Sequence, residues 1–283
     1  MKITSLIENT RPPERSELCA EPGLSLHIQS GEHSILFDTG MSGAFADNAS
    51  QLGVQLEDVT LAIISHHHID HGGGLRRFFE ANPHAPVFLR SPIAGQATLR
   101  AFGGLVNRSV GIDPAIFQEY AGRFHFVSDA AEPLPGVHLL TRIEKAQPLP
   151  KGNRYLYVQQ DGRRQRDDFR HELILVVEED GGLVIFTGCS HNGVLNMIAT
   201  VLMGLPEKPV KALVGGFHQI GLPVFNHMAA SKNEVQQLGQ HLMQAPIEKI
   251  YTGHCTGLKA YPILKEVMGT RLDYLQTGSQ IEL

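Results

Sequence analysis

Residues 65–74 read SHHHIDHGGG, which puts four histidines and an aspartate within six residues. Imidazole and carboxylate groups are the side chains that most readily hold zinc, iron or manganese. The run follows the apolar stretch TLAII, whose length suits a buried strand. In an extended chain, residues two apart project to the same side. His66 and His68 can therefore share one metal, while His67 points away from it. Asp70 and His71 come next, where the three glycines permit a turn into a helix. A chain turning there can aim both side chains at a second metal. The competing reading is a solvated polar loop, and the strand before and helix candidate after weigh against it.

The pattern behind this run recurs. HSILFDTG ends at Asp38, GGLVIFTGCSH at Cys189 and His191, KALVGGFH at His218, and IEKIYTGHCTG at His254. Each is a short apolar run that closes in small residues, which let the backbone turn sharply. In layered αβ proteins, ligands bind beyond the carboxyl ends of the strands. Five strand ends carrying polar, mostly metal-competent side chains point to convergence on one site. Helix candidates lie between the strands. LRRFFEAN follows the glycines, NGVLNMIATVLMG offers Asn192 as N-cap, and HMAASKNEVQQLGQHLM places Val235, Leu238 and Leu242 on one face. The stretch from about 90 to 170 has weaker periodicity and many Pro, Gly and Arg residues. It reads as an elaboration, part helical and part hairpin, inserted between two halves of a core. Nothing resembles a repeat or linker, so residues 1–283 are expected to form a single domain.

Composition narrows the function classes. The chain has 283 residues, 42% hydrophobic and 19% charged, which is ordinary for a soluble protein with a substantial core. A formal charge of −5 argues against a nucleic-acid binder that works by neutralising phosphates. The one basic cluster, Arg163, Arg164 and Arg166 in DGRRQR, follows a turn-like Asp-Gly and reads as a solvated hairpin in preference to a phosphate grip. The N-terminal MKITSLIENTRPPER lacks a signal-peptide core, and no stretch reaches transmembrane length. Cys19, Cys189 and Cys255 are widely spaced with no CxxC, which fits a reducing cytoplasm.

His66-x-His68-x-Asp70-His71 after an apolar strand resembles the signature of the metallo-β-lactamase superfamily. LIENT, AEPGLSLHI, ILFDTG, SHHHIDHGGGL, FTGCSHNGVLN, GGFHQIG and YTGHCTG further resemble, in the same order, one subgroup of metal-dependent hydrolase-like proteins. Members of that subgroup are often labelled dihydropterin–ribofuranosylaminobenzene-phosphate synthases. The resemblance spans nearly the whole chain and is weakest from about 90 to 165. It implies an α/β (α+β) four-layer αβ/βα sandwich with two divalent metal ions, zinc first, with iron and manganese as alternatives. By the same resemblance His66 and His68 bind the first metal, and Asp70, His71 and His254 the second. His191 is the choice for a third ligand at the first metal. Cys189 stands where the superfamily has a bridging aspartate, as a thiolate ligand or as a small buried hydrophobe. His171 in DDFRHELIL is either an earlier-loop ligand or a strand-edge histidine. Asp38 in Asp-Thr-Gly lacks the second such motif an aspartic protease needs, so it is read as a group that orients ligands. His218 either binds substrate and donates a proton or is a buried, hydrogen-bonded histidine. The subgroup often has a histidine where Pro22 stands and smaller or aromatic residues at His67 and Ile69, positions expected near the mouth of the site.

Three readings follow. The first is a hydrolase in which a hydroxide held by a dinuclear metal site attacks an ester, phosphodiester, amide or thioester, with Asp70 orienting the hydroxide and His218 protonating the leaving group. The second is a transferase that condenses a dihydropterin-methyl diphosphate with a ribofuranosylaminobenzene phosphate, the metals binding the diphosphate. The third is a metal-binding signalling protein with little catalysis. In the enzymatic readings the partner is a small molecule, phosphorylated ones included, with no nucleic acid or membrane involved; the oligomeric state is left open.

Overall fold

The structure, a computed structural model, describes residues 1–222 and 227–283. The chain divides into two compact units. The first comprises Met1–Ile93, Val110–Ser128 and Leu275–Leu283. Its seven-stranded sheet runs in the order Gln280–Glu282, Lys2–Ile7, Ser25–Ser30, His33–Phe37, Leu61–Ile63, Val87–Arg90, Phe124–Val127. Pairing is antiparallel as far as His33–Phe37 and parallel beyond it. Parallel neighbours end at the same edge, so the chain leaves His33–Phe37 and Leu61–Ile63 side by side, at Asp38 and Ser65. Helices Ala44–Gln51 and Leu75–Ala81 carry Phe45, Phe78 and Phe79 into a core with Leu36, Ala62, Val87 and Leu89. Each fully buried aromatic of this kind contributes roughly 2–3 kcal/mol.

Residues 94–109 and 129–274 form the second unit. Its larger sheet has the order Leu272–Tyr274, Ile247–Thr252, Val210–Gly215, Gly182–Phe186, Ile174–Glu179, Val137–Leu140, Ala131–Leu134. The first four strands are parallel, so Cys189, His218 and His254 all follow strands that end on one edge. Val194–Gly204, Lys232–Gln244 and Ala260–Met268 are helices whose Met197, Val201, Val235, Leu242 and Leu264 pack with Leu213 and Ile250. Ser231 and Glu234 close a capping box at the start of Lys232–Gln244. Asn192 does not cap Val194–Gly204. Its amide reaches Glu172 and the Phe169 carbonyl instead, and Gly193 occupies the cap position.

The stretch from about 90 to 170 supplies an antiparallel four-stranded sheet in the order Arg163–Arg166, Leu156–Gln160, Gln96–Ala101, Val106–Ser109. Three more of its strands join the two larger sheets. DGRRQR is the expected hairpin, turning at Asp161 and Gly162, both with positive φ. Among the described residues, no helix is long and apolar enough to cross a membrane.

Candidate functional site

In the first unit one buried carboxylate organises the histidine run. Asp38 sits at a strand end with φ of 60°, a left-handed conformation that aspartate tolerates better than most residues. Its Oδ1 accepts from the Ser65 backbone N–H at 2.7 Å, and its Oδ2 accepts from the Ser65 hydroxyl at 2.8 Å. The same Oδ2 lies 2.6 Å from His71 Nδ1. Ser65 Oγ is in turn 2.9 Å from His66 Nδ1. If both Nδ1 atoms carry protons toward these oxygens, His66 and His71 each present an unprotonated Nε2, the form a metal needs.

His66 Nε2 lies 3.0 Å from His68 Nδ1, and the His66 and His71 ring centroids are 4.1 Å apart. Two nitrogens on a tetrahedral zinc are about 3.3 Å apart, given bonds near 2.0–2.1 Å. His66 and His68 thus come together and His67 turns away, although the strand Leu61–Ile63 ends before them and residues 65–67 form a bend. His67 is not at a rim, however. It is 2% exposed, with Nε2 2.7 Å from the Arg90 carbonyl oxygen and its ring near Phe117. Pro22 is exposed and Ile69 partly so. Asp70 and His71 lie on the short helix Ile69–Gly72, with Asp70 Oδ2 3.9 Å from His71 Nε2. Gly73 and Gly74 have ordinary negative φ, so they do not serve a left-handed turn. Close approach is what requires them: a Cβ on Gly73 would stand 2.1 Å from the Met41 carbonyl oxygen, and one on Gly74 2.3 Å from that of Thr39.

In the second unit Cys189 Sγ lies 3.3 Å from His254 Nε2, both buried. His254 and His218 carry φ of 49° and 46°, strained values for histidine that recur at strand ends where side chains must be aimed. His191 stacks on Phe169 at 4.3 Å, its Nδ1 is 3.0 Å from Asn153 Oδ1, and its ring centroid is 4.2 Å from that of His218. Among the described residues neither ring nitrogen of His218 has a hydrogen-bond partner, although both are buried. The His218 backbone N–H donates to Cys255 Sγ at 3.3 Å. His171 is a buried residue paired to Asp167, Nε2 to Oδ2 at 3.1 Å, and not a strand-edge histidine.

Besides Ser65, four residues have roles at the site that the sequence did not identify. Glu172 is fully enclosed and accepts from the backbone N–H groups of His191 and Asn192 at 2.8 Å each, which fixes the loop bearing His191. Burial pushes its carboxyl up, against those hydrogen bonds. Asn153 and Asp167 hold His191 and His171. Cys255 stands beside Cys189 and His218, with donor atoms of all three within 4.8 Å. Burial raises the Cys255 thiol, but its contacts with Cys189 and His218 more than reverse this and bring it to about 6. HELIL and GHC signalled polar residues at strand ends, but Asn153 sits in the short 3-10 helix Lys151–Tyr155 and Asp167 in a loop, settings where such residues are usually solvated.

The family model described as the metallo-beta-lactamase superfamily matches residues 20–138. A 7,8-dihydropterin-6-methyl-4-(beta-D-ribofuranosyl)-aminobenzene-5'-phosphate synthase from Methanocaldococcus jannaschii is 29% identical over 280 residues, covering 94% of this chain and 92% of that protein. Among solved structures, Tm1679, described as a metal-dependent hydrolase of the beta-lactamase superfamily, matches with a TM-score of 0.82 at 28% identity. The match covers 100% of this chain and 99% of that one. Zinc-bound PqqB from Methylobacterium extorquens shares the fold at 10% identity and a TM-score of 0.58, over the full length of both chains. With its strand order and these matches, the chain has the metallo-β-lactamase fold, and its residues 20–138 match the model of that superfamily.

Proposed function

We propose that this protein is a metal-dependent hydrolase of a small ester, phosphodiester, amide or thioester. The observation that carries the proposal is the Asp38–Ser65 anchor, whose oxygens lie against Nδ1 of both His66 and His71 in a buried setting; with a proton on each Nδ1, each Nε2 is the atom offered to a metal. The donors fit borderline divalent cations, since they combine imidazoles, a carboxylate and a thiol. His66, His68, Asp70 and His71 are the donors we assign in the first unit, and Cys189, His191 and His254 in the second, for two cations with zinc as the first candidate and iron or manganese next. Bound there, such cations lower the pKa of water and stabilise negative charge on an oxyanion. Asp38 holds the imidazoles in one tautomer. Asp70, the most exposed of these donors, accepts a hydrogen bond from the attacking water and orients it. His218, whose buried ring nitrogens have no hydrogen-bond partner among the described residues, gives a proton to the leaving group. The three free cysteines support residence in a reducing compartment such as the cytoplasm.

Turnover of a panel of phosphodiesters, thioesters and lactones by metal-loaded protein tests this reading. Asp70→Ala is expected to lower kcat by about 100-fold or more, and His218→Gln by about 10–100-fold with KM little changed. Absence of hydrolysis across the panel rejects it.

A second reading is favoured by the near-full-length similarity to the Methanocaldococcus synthase. Here the protein joins a pterin-methyl diphosphate to a ribosyl-aniline phosphate, and water is an unwanted nucleophile. Diphosphate release that depends on the aniline phosphate selects this reading; release without it counts against it.

A further inference from the structure

We propose that the four-stranded sheet of the second unit carries a separate binding site for a phosphate monoester bearing a planar ring, the chemistry of a mononucleotide. The proposal does not rest on the catalytic reading. Tyr157 pairs across the sheet with Arg166 on one side and Thr98 on the other. Alternation then puts Arg100 on the same face as Tyr157 and Arg166. The opposite face, with Leu156, Val158, Ala97 and Ala101, is buried. A solvated hairpin would need nothing more, but here the polar face is hollowed. An open depression with about 300 Å³ of accessible space is lined by Arg100, Phe102, Arg154, Tyr155, Tyr157 and Arg166.

Three guanidinium groups line this depression, and among the described residues none is paired with a carboxylate. They are nevertheless held in place. Arg166 Nη1 donates to the Arg154 carbonyl, and Arg100 Nη2 donates to the Gly103 carbonyl at 3.1 Å. The Arg154 guanidinium lies 4.8 Å from the centre of the Tyr155 ring, and that of Arg166 lies 4.6 Å from the centre of the Tyr157 ring. Fixed guanidinium forks match the oxygens of a phosphate, and a dianion offsets the mutual repulsion of the three cations. Phe102, at the rim, is 56% exposed and held at φ of 51°, a conformation that a bulky residue disfavours. Tyr155 and Tyr157 line the same pocket and supply the aromatic surface against which a planar group packs. The volume is at the small end for ligand pockets, which suits a single nucleotide-sized molecule. The net charge of −5 disfavours a nucleic-acid polymer as the occupant.

Titration calorimetry on the full chain with AMP, adenosine, inorganic phosphate and a single-stranded RNA tests the site. The expected result is saturable AMP binding at one site, with adenosine much weaker. Arg166→Gln and Arg100→Gln should each weaken AMP about tenfold. Tyr157→Leu should weaken AMP but leave inorganic phosphate unchanged. Arg166 lies on an exposed strand, so if Arg100→Gln melts early, Arg166→Gln alone decides the question. Three results overturn the proposal. One is no saturable AMP binding at millimolar concentration. Another is binding lost in His66→Ala but unchanged in the arginine variants. The third is RNA binding that AMP does not compete.

Discussion

Asp38 shows how one residue sets the chemistry of several others. Its carboxylate reaches His71 directly and His66 through Ser65, so both imidazoles depend on it. Asp38→Asn keeps a side chain that tolerates the left-handed backbone but loses the charge. Loss of an anchoring carboxylate behind a ligand histidine typically weakens metal binding by about 10–100-fold. Competition with a chromogenic chelator should show that loss, while the melting temperature of the metal-free protein changes little by comparison. An unchanged affinity would mean that Asp38 only ties the turn. The grouping of His66 with His68 and apart from His67 was legible, but the strand assumed for it stops at Ile63 and a bend over residues 65–67 places the rings. The burial of His67 was not legible, because its partner is a carbonyl more than twenty residues away.

At the scale of elements, the parallel strands do the positioning. They deliver Asp38 beside Ser65 in one sheet, and Cys189, His218 and His254 at a shared edge in the other. Those strand ends could be read from apolar runs that stop at small residues. The four-stranded sheet could not, since Gln96–Ala101 and Leu156–Gln160 are short, mixed in character and far apart in sequence. The glycines after the histidine run were legible as residues but not in purpose, because close approach depends on the Met41 and Thr39 carbonyls. Gly73→Ala is therefore expected to destabilise the protein by about 2 kcal/mol or more, as backbone atoms cannot move aside for the new methyl group. Gly122→Ala, in open space, should stay within about 0.5 kcal/mol. Urea denaturation midpoints of the two variants check this contrast.

For the molecule as a whole, stability should respond to pH and to metal. Burial holds the His27 imidazole down at about 4, against an ordinary value of 6.5. The unfolded chain therefore takes up that proton more readily than the folded one. The contribution of His27 is complete above pH 6.5 and is lost as pH falls toward 4. Its size is on the order of 1–3 kcal/mol, from about 1.4 kcal/mol per pKa unit and discounted for partial exposure. His27→Gln, which keeps a partner for Ser34 Oγ, should flatten the stability profile between pH 4 and 6.5. An equally steep profile in that variant would assign the acid sensitivity to other groups. The central claim, that the histidine run holds metal, is tested most directly by elemental analysis of full-length protein purified without added metal. The account predicts about two divalent ions per chain, with a clear loss in His66→Ala. Less than one ion per chain, unchanged by His66→Ala, would contradict it.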